Sequence, residues 1–290
     1  ELTIPHKSTM FILLISIFSC LSKMSSILIV ILIIAFLLFY RKRRVETYDY
    51  KCFLLTLKSE EKRKNHFMKY HNQEIPIEII YGSDTRIVKN AKKYENKIDG
   101  EYYEKALEMH YDKSVTRPDI TYFNLGAIGC FMGHMDFYKR CFDQGLKYAV
   151  IFEDNVVIKS HEIYKEIQNI IDDRGDDFEM CFFHCLSRLP DKQDGKLEKV
   201  KWISSTKCYL INVENMKKYV KYFIPMDNHI DMKHEDLISQ GARIYYKDLR
   251  HYMMIDRSHN STIGHCTHGR PDFISRTNPS ATTKDIKYGY

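Results

Sequence analysis

The sequence predicts an α/β fold, in which helices flank a mixed sheet, together with an N-terminal transmembrane helix. Three observations support this prediction. Short apolar runs bounded by charge alternate with longer amphipathic segments, which is the order strand, helix, strand. A long apolar segment lies near the N-terminus. The 290 residues, 44% of them hydrophobic, are enough for one sizeable core and an appendage.

The apolar segment at Ser25–Tyr40 predicts a retained, single-pass membrane helix. At about 1.5 Å per residue it extends roughly 24 Å, just short of a hydrocarbon core of about 30 Å. Tyr40 is followed by the cations Arg41–Arg44, which is typical of an interfacial anchor. A cleaved signal peptide is the alternative, but no small-residue cleavage site follows. The basic flank favours the cytosol for the rest of the chain.

The first strand–helix–strand unit follows this segment. Lys51–Leu57 is an apolar run that predicts a buried strand. Ser59, followed by two glutamates, predicts the start of a helix that extends to Tyr70. Ile77–Tyr81 predicts a second strand, which ends at Gly82-Ser83-Asp84. This order predicts parallel strands with a helix across one face of the sheet.

The remaining elements follow the same pattern. A polar region, Arg86–Asp119, mixes loop and helix, and a turn-rich excursion is predicted between residues 184 and 207. The chain is polar from Asn260 onward. The predicted helices are Phe123–Gln144, His161–Asp172 and Glu214–Phe223, and the predicted strands are Tyr148–Phe152, Met180–His184, Lys207–Ile211 and Ala242–Tyr246, the last of the chain.

Charge and cysteine content exclude several classes of protein. The net charge is +6, and four of the positive charges lie in Arg41–Arg44, so the rest of the chain lacks the spread of basic residues that nucleic-acid binding needs. The eight cysteines are scattered and mostly lie in apolar runs, which favours free buried thiols over a disulfide scaffold. Cys181 and Cys185 lack the second pair that a structural zinc site needs.

An acidic triplet, Glu153-Asp154-Asn155, directly follows the strand Tyr148–Phe152. Ligands of open α/β sheets bind beyond the carboxyl ends of the strands. Oxygen ligands at this position suit Mg²⁺ or Mn²⁺, which can neutralise a departing diphosphate. If the strand continues, Glu153 and Asn155 lie on one side and Asp154 on the other. The alternative is a solvated turn, in which such residues are common.

Two stretches form a recognisable pattern, namely Leu125-Gly126-Ala127-Ile128-Gly129-Cys130-Phe131-Met132-Gly133-His134 and Ile151-Phe152-Glu153-Asp154. They resemble glycosyltransferase family 25, which includes bacterial lipopolysaccharide sugar transferases and collagen galactosyltransferases. The family pattern is approximately GEIGC-x-x-SH, a helix, and a strand ending in EDD. The resemblance covers roughly Lys51 to Ile263. The chain departs from the pattern at Ala127, Gly133 and Asn155, and the last of these predicts weaker metal binding.

The resemblance implies a GT-A-like, doubly wound fold and an enzyme. The implied reaction moves a hexose, galactose or glucose, from a UDP-sugar to a hydroxyl of a glycan or protein acceptor, with inversion and with Mn²⁺ or Mg²⁺ as cofactor. The implied organisation is a membrane anchor with its basic flank at 1–44, a stalk at 45–50, a catalytic domain at 51–265 and a polar tail at 266–290.

The resemblance also implies roles for individual residues. Glu153, Asp154 and Asn155 are the expected metal ligands, and Glu153 also faces the donor. The other expected donor-binding residues are Lys58 and Arg63 for the diphosphate, Ser83 and Asp84 for the ribose, and His134. Asp231 and Asp227 are the candidate bases that deprotonate the acceptor, ahead of Glu235 and Asp236, and His251, His259 and His265 are candidates for a late metal ligand.

A second function remains open on the sequence. A catalytically degenerate, membrane-anchored relative would keep the fold and serve as a binding or scaffold protein, and Asn155 is the feature that separates the two readings. A nuclease or phosphatase is disfavoured, because no further acids are placed to hold a second ion.

Overall fold

A computed structural model describes residues 30–31, 33–34, 48–111, 123–256, 258 and 287–288. Two units are distinguished, Glu1–Thr47 and Tyr48–Tyr290. The predicted membrane span lies outside the described residues except for positions 30, 31, 33 and 34, which are helical. Within the described part of the chain, no helix has both the length and the apolar character needed to cross a membrane.

The described strands of the second unit are β1 (Tyr50–Leu57), β2 (Ile77–Gly82), β3 (Tyr148–Glu153), β4 (Val156–Ile158), β5 (Met180–Phe182), β6 (Ser187–Asp194), β7 (Leu197–Ser204), β8 (Cys208–Asn212), β9 (Ile244–Tyr246), β10 (Met253–Ile255) and β11 (Lys287–Tyr288). One sheet has the strand order β11-β6-β7-β9-β5-β8-β3-β1-β2, and β10 pairs with β4 in a separate ribbon. Strands β2, β1 and β3 are parallel neighbours, β5 is parallel to β9, and the other pairs are antiparallel. The predicted mixed sheet is confirmed.

Helices cover both faces of this sheet. On one face α4 (Leu125–Asp143) packs through Phe137 against Phe53 of β1, with ring centroids 5.3 Å apart. On the other face Phe67 of α1 (Glu61–Tyr70) packs against Phe152 of β3, with ring centroids 5.5 Å apart. The helices are α1 (Glu61–Tyr70), α2 (Val88–Ala91), α3 (Gly100–Tyr111), α4 (Leu125–Asp143), α5 (Glu162–Arg174), α6 (Val213–Lys217) and α7 (Ile230–Ser239), with 3₁₀ turns at Lys92–Lys97 and Val220–Tyr222.

Burial on both faces explains why the central strands are apolar throughout. Tyr148, Val150 and Phe152 of β3 belong to the cluster that contains α1 and α5, and Ala149 and Ile151 belong to the cluster around α4. A strand covered on both sides has no solvent face, so its sequence shows no alternation of polar and apolar residues. The continuous run before Glu153 is therefore the signature of a central strand.

Four local predictions need correction. Helix α1 begins at Glu61 and not at Ser59, since Glu60 N–H first closes a turn onto Leu57 O at 2.9 Å. The predicted turn-rich excursion is the β6–β7 hairpin. The predicted helix Glu214–Phe223 is divided into α6 and a 3₁₀ turn. Ala242–Tyr246 is not the last strand, because β10 and β11 follow it.

The hairpin escaped prediction because its proline is tolerated at an irregularity. Pro190 lies where the pairing of β6 with β7 shifts register, so the ladder does not require its missing N–H. Of the Asp194-Gly195 pair that suggested a loop, Asp194 ends β6, and Gly195, at φ +60°, forms the two-residue hairpin turn together with Lys196. The turn signals were present, but the flanking residues were too polar to indicate strands.

Candidate active site

A cleft lies at the carboxyl ends of β1, β2 and β3, where neighbouring parallel strands finish at the same edge of the sheet. Its empty volume is about 510 Å³. Its polar lining comes from strand ends, from α1 and from the start of α4. The described lining residues are Leu55, Thr56, Leu57, Arg63, Gly82, Ser83, Asp84, Thr85, Gly126, Gly129, Cys130, Glu153 and Asp154.

Asp154 forms a buried ion pair at the floor of this cleft. Its Oδ1 contacts Arg63 Nη2, and its Oδ2 accepts a hydrogen bond of 2.6 Å from the Thr56 hydroxyl. Its backbone N–H donates to Leu55 O at 3.1 Å, which continues the alignment of β1 with β3. Burial raises the pKa of Asp154, and Arg63 and Thr56 oppose that shift. Both carboxylate oxygens of Asp154 are therefore engaged by protein donors.

Glu153 is held on its two oxygens by residues that precede β8. Thr206 Oγ1 donates to Oε1 at 2.7 Å, and Lys207 Nζ donates to Oε2 at 2.6 Å. His134 Nε2 lies 3.8 Å from Oε1, beyond hydrogen-bonding distance. Burial alone would raise the pKa of Glu153, but the Lys207 ammonium and His134 hold it well below its usual range. Glu153 is therefore an ionised carboxylate in a nearly closed setting, at 8% exposure.

The backbone just before these donors is strained. Ser205 has φ +128°, a conformation that residues with a side chain rarely adopt. Its hydroxyl lies 3.2 Å from His184 Nδ1 and accepts a longer bond, 3.4 Å, from the Lys207 N–H. These contacts hold Thr206 and Lys207 against Glu153. The strain therefore lies in the segment that positions the carboxylate.

Helix α4 begins at the rim of the cleft. Asn124 is its N-cap, and its Oδ1 accepts a 2.7 Å hydrogen bond from the Ala127 N–H. Gly129 faces the end of β2 so closely that a Cβ would lie 2.4 Å from Ser83 O. The first turn of this 19-residue helix, including Gly126, thus lies beside the strand ends. Its free N–H groups and dipole favour a negatively charged ligand there.

A chain of buried polar side chains extends from the cleft into the core. His134 Nδ1 lies 2.8 Å from the Tyr209 hydroxyl, which donates to the Tyr138 hydroxyl at 3.3 Å. The Tyr138 hydroxyl lies 3.1 Å from Nε2 of His234 on α7. Burial lowers the pKa of His234 well below its usual range, so this imidazole is neutral. This series of hydrogen-bonded side chains connects His134, which lies beside Glu153, to α7, the helix that carries Asp231.

The model of one protein family, glycosyltransferase family 25 (LPS biosynthesis protein), matches residues 49–234. This chain belongs to glycosyltransferase family 25. The match contains every described residue that lines the cleft. It confirms the resemblance seen in the sequence, although β9, between β7 and β5 in the sheet, lies beyond its end. No curated protein matches the chain.

Among solved structures, this family 25 chain is similar to UTP-bound UGPase from Acinetobacter baumannii, at 7% identity and a TM-score of 0.38, over 71% of this chain and 88% of the other. It is also similar to UDP-glucose pyrophosphorylase complexed with UDP-glucose, at 10% identity and a TM-score of 0.35, over 69% of this chain and 90% of the other. A third similar structure is the apo form of mouse xyloside xylosyltransferase 1, at 10% identity and a TM-score of 0.33, over 83% of this chain and 97% of the other.

The structure brings five of the predicted site residues to the cleft lining: Arg63, Ser83, Asp84, Glu153 and Asp154. A sixth, His134, lies beside Glu153. Asp84 is paired with Arg86, which donates to both of its oxygens, at 2.8 and 2.7 Å, and holds its pKa below the usual range.

Other predicted residues are placed elsewhere. Lys58 is exposed, with its Nζ 5.8 Å from the centre of the Tyr81 ring. Asp227 is 55% exposed and accepts a 2.7 Å bond from Lys233. Asp231 lies outside the described lining, but it is near enough to Cys130 to raise the pKa of that thiol, after burial and Glu153.

Four further candidate residues were not predicted as site residues from the sequence: Thr56, Cys130, Thr206 and Lys207. Cys130 carried a readable signal, because it precedes His134 by four residues and a helix places such residues on one face. Thr206 and Lys207 carried none. They reach Glu153 because β8 runs antiparallel to β3, which places the start of one strand beside the end of the other.

The predicted metal triplet does not assemble as one ligand set. Glu153 and Asp154 both line the cleft, but each of their oxygens already contacts a protein donor or cation. Asn155 is outside the described lining, and its Oδ1 is buried with no partner among the described residues. Because both oxygens of Asp154 are held and Asn155 lies outside the described lining, the three residues together fit a six-coordinate Mn²⁺ or Mg²⁺ poorly. A different group, Cys130, His134 and Glu153, places one ligand atom from each residue within 4.8 Å of the others.

Proposed function

We propose that this family 25 chain transfers a hexose, galactose or glucose, from a UDP-sugar to a hydroxyl of a glycan or protein acceptor. One observation carries the proposal: a cleft at the carboxyl edge of parallel strands combines buried carboxylates, a buried arginine and a helix N-terminus. The family's description as an LPS biosynthesis protein favours a lipopolysaccharide glycan as the acceptor. The cleft lies within the residues that match the family.

The donor diphosphate belongs, in this proposal, between Arg63 and the first turn of α4. Arg63 lines the cleft, and its Nε has no hydrogen-bond partner among the described residues. A guanidinium with a free donor suits a phosphate oxygen, and the free N–H groups in the first turn of α4, near Gly126, add further donors. Both features stabilise the charge that develops on a departing nucleoside diphosphate.

The nucleoside is assigned to the end of β2. Ser83 offers a hydroxyl, and Asp84 offers a carboxylate that Arg86 keeps ionised. Both groups suit the ribose hydroxyls of the donor. Gly129 supports this placement, because it lets the helix approach the Ser83 carbonyl closely and so joins the ribose and diphosphate regions.

The acceptor hydroxyl needs a base for an inverting transfer, and we assign Asp231 to this role, with Asp227 second. Burial and Glu153 raise the pKa of Cys130, which lines the cleft, and the charge of Asp231 adds to that rise, which indicates that Asp231 lies near the cleft. Asp227 ranks second, because its side chain is over half exposed and its carboxylate is already held in an ion pair with Lys233.

Two parts of the proposal rest on the sequence alone. One is a divalent cofactor, Mn²⁺ or Mg²⁺, whose expected ligands fit poorly as described above. The other is the membrane helix at Ser25–Tyr40, with the catalytic unit on the cytosolic side.

The test uses the purified full chain in detergent, with UDP, UDP-galactose and UDP-glucose as ligands, with and without Mn²⁺. Binding is measured by calorimetry and turnover by release of UDP. Arg63→Lys should weaken UDP binding about tenfold or more, because charge-assisted hydrogen bonds contribute about 1.5–3 kcal/mol each. Lys58→Gln is the matched control and should change affinity less than about twofold, since Lys58 is exposed beside Tyr81.

Three outcomes separate the readings. Turnover that Arg63→Lys reduces supports the transferase. UDP-sugar binding with no hydrolysis and no transfer supports the degenerate binding protein instead. A folded wild-type chain that binds none of these ligands contradicts the assignment of the cleft to a nucleotide-sugar.

A further inference from the structure

We propose that Cys130, His134 and Glu153 form a three-ligand site for a thiophilic divalent ion of the Zn²⁺ type, open on its fourth side to the cleft. Cys130 and His134 are four residues apart on α4 and therefore share a helix face. Glu153 ends β3 opposite that face, and the three ligand atoms lie within 4.8 Å of one another. This site differs from the Glu153–Asp154–Asn155 set expected from the sequence.

The distances suit a tetrahedral ion after small side-chain adjustments. Zinc binds sulfur at about 2.3 Å and nitrogen or oxygen at about 2.0–2.2 Å, which places ligand atoms roughly 3.5 Å apart. His134 Nε2 and Glu153 Oε1 are 3.8 Å apart, which is too far for a hydrogen bond and close to the span that a shared ion bridges.

A buried atom without a partner points to a ligand here. His134 is fully buried, and its Nε2 has no hydrogen-bond partner among the described residues. A buried polar atom without a partner destabilises the folded state unless a hydrogen-bond partner or a metal ion occupies its lone pair. An ion between Nε2, Cys130 and Glu153 would do so.

The polar chain behind His134 sets its tautomer. The Tyr209 hydroxyl donates to Tyr138, so it accepts from His134 Nδ1–H, and the lone pair of His134 is then on Nε2. Metal-bound histidines are commonly oriented by a hydrogen bond from their other nitrogen. The Tyr209–Tyr138 pair therefore acts as a positioning element for the ligand.

The Glu153 carboxylate is also held in a position from which it can bind an ion. Lys207 and Thr206 hold Glu153 in place, while Oε1 retains a second lone pair beside its hydrogen bond from Thr206. The Lys207 charge opposes a cation, but the Cys130 thiolate formed on binding offsets it. A metal ion deprotonates a thiol that coordinates it, and the proton of the Cys130 thiol is released to solvent.

Sulfur ligation selects the kind of ion. Thiolate and imidazole ligands suit Zn²⁺ and related transition metals, whereas Mg²⁺ prefers sites made of oxygen. Because Cys130 and Glu153 line the cleft, the fourth position faces it. A water or a phosphate oxygen would occupy that position, and only this last detail rests on the proposed function.

The experiment titrates Co²⁺, a spectroscopic substitute for Zn²⁺, into the chelator-treated full chain. The expected result is an equimolar end point with a thiolate-to-cobalt charge-transfer band and the absorption of a tetrahedral ion. Cys130→Ala should abolish the charge-transfer band. Cys141→Ala, a buried cysteine on the same helix, is the matched control and should keep it. Tyr209→Phe should weaken binding roughly 10- to 100-fold.

A second measurement needs no variant. Cys130 is the one partly exposed cysteine among the six described, so Zn²⁺ should slow its alkylation in the wild-type chain, mapped by mass spectrometry. A wild-type chain that shows neither the charge-transfer band nor this protection overturns the site, as does a band that persists in Cys130→Ala. UDP binding, measured in parallel, tests the proposed function independently of the metal site. Absence of metal binding therefore does not contradict the assignment as a transferase.

Discussion

Gly129 shows how one small residue sets the shape of the cleft. A Cβ at this position would lie 2.4 Å from Ser83 O and 2.6 Å from Thr85 Oγ1. Thr85 is itself fixed by a 2.5 Å bond to Leu125 O, so neither neighbour can move freely. The contact joins the first turn of α4 to the end of β2.

We predict that Gly129→Ala destabilises the chain by about 1–3 kcal/mol, because overpacking against backbone forces the helix away from the strand end. Gly100→Ala is the control, since nothing lies within 4 Å of a Cβ there. It should be neutral or slightly stabilising, by up to about 1 kcal/mol. Urea unfolding of both variants measures the difference, and equal stabilities would contradict the close contact.

Glu235 on α7 gives a pH-dependent prediction. Burial, reinforced by Asp236, raises its pKa from 4.5 to about 7. A raised pKa means that the folded state holds the proton more tightly than the unfolded state, so this stabilisation is complete below about pH 4.5 and is lost as pH rises through about 7. Relative to Glu235→Gln, the wild type should lose stability across this window. Thermal unfolding of the two proteins at several pH values tests this, and a constant difference would be the contrary result.

At the scale of the element, helix α4 organises the site. It supplies lining residues, the proposed metal ligands Cys130 and His134, and the aromatic side chains that pack on β1. Its length and start were predicted from the sequence, because an apolar periodic segment follows Asn124 directly. The side chain of Asn124 satisfies an N–H that would otherwise lack a partner at the helix start.

We predict that Asn124→Ala costs about 0.5–2 kcal/mol of stability, since alanine cannot accept the Ala127 N–H. Asn124→Ser should recover most of this loss, because serine is also a good N-cap. Denaturant unfolding compares the two variants. Equal losses for alanine and serine would show that the cap contributes little.

At the scale of the molecule, the residues that match family 25 do not contain the whole sheet. The match ends at residue 234, but β9 lies inside the sheet between β7 and β5. Strand β11, from the predicted polar tail, pairs with β6 at the edge. The fold of this unit therefore depends on chain beyond the family match.

We predict that a chain beginning at Tyr48 keeps cooperative unfolding and UDP binding, because every described residue of the cleft lies in the second unit. The same deletion should release the protein from membranes, since it removes the proposed anchor at Ser25–Tyr40. Sedimentation with vesicles compares the two forms. A shortened chain that still sediments with the vesicles would contradict the anchor.

By itself the sequence determined the α/β class, the strands β1, β2 and β3, the long helix α4 and the placement of Glu153 and Asp154 at a strand end. These features follow from local periodicity, from caps and from the run of residues buried on both faces. Tertiary structure alone decided which groups meet those carboxylates. Arg63, Thr56, Thr206, Lys207 and His134 come from four separate segments, and their contacts depend on parallel and antiparallel strand pairing, which local sequence does not specify.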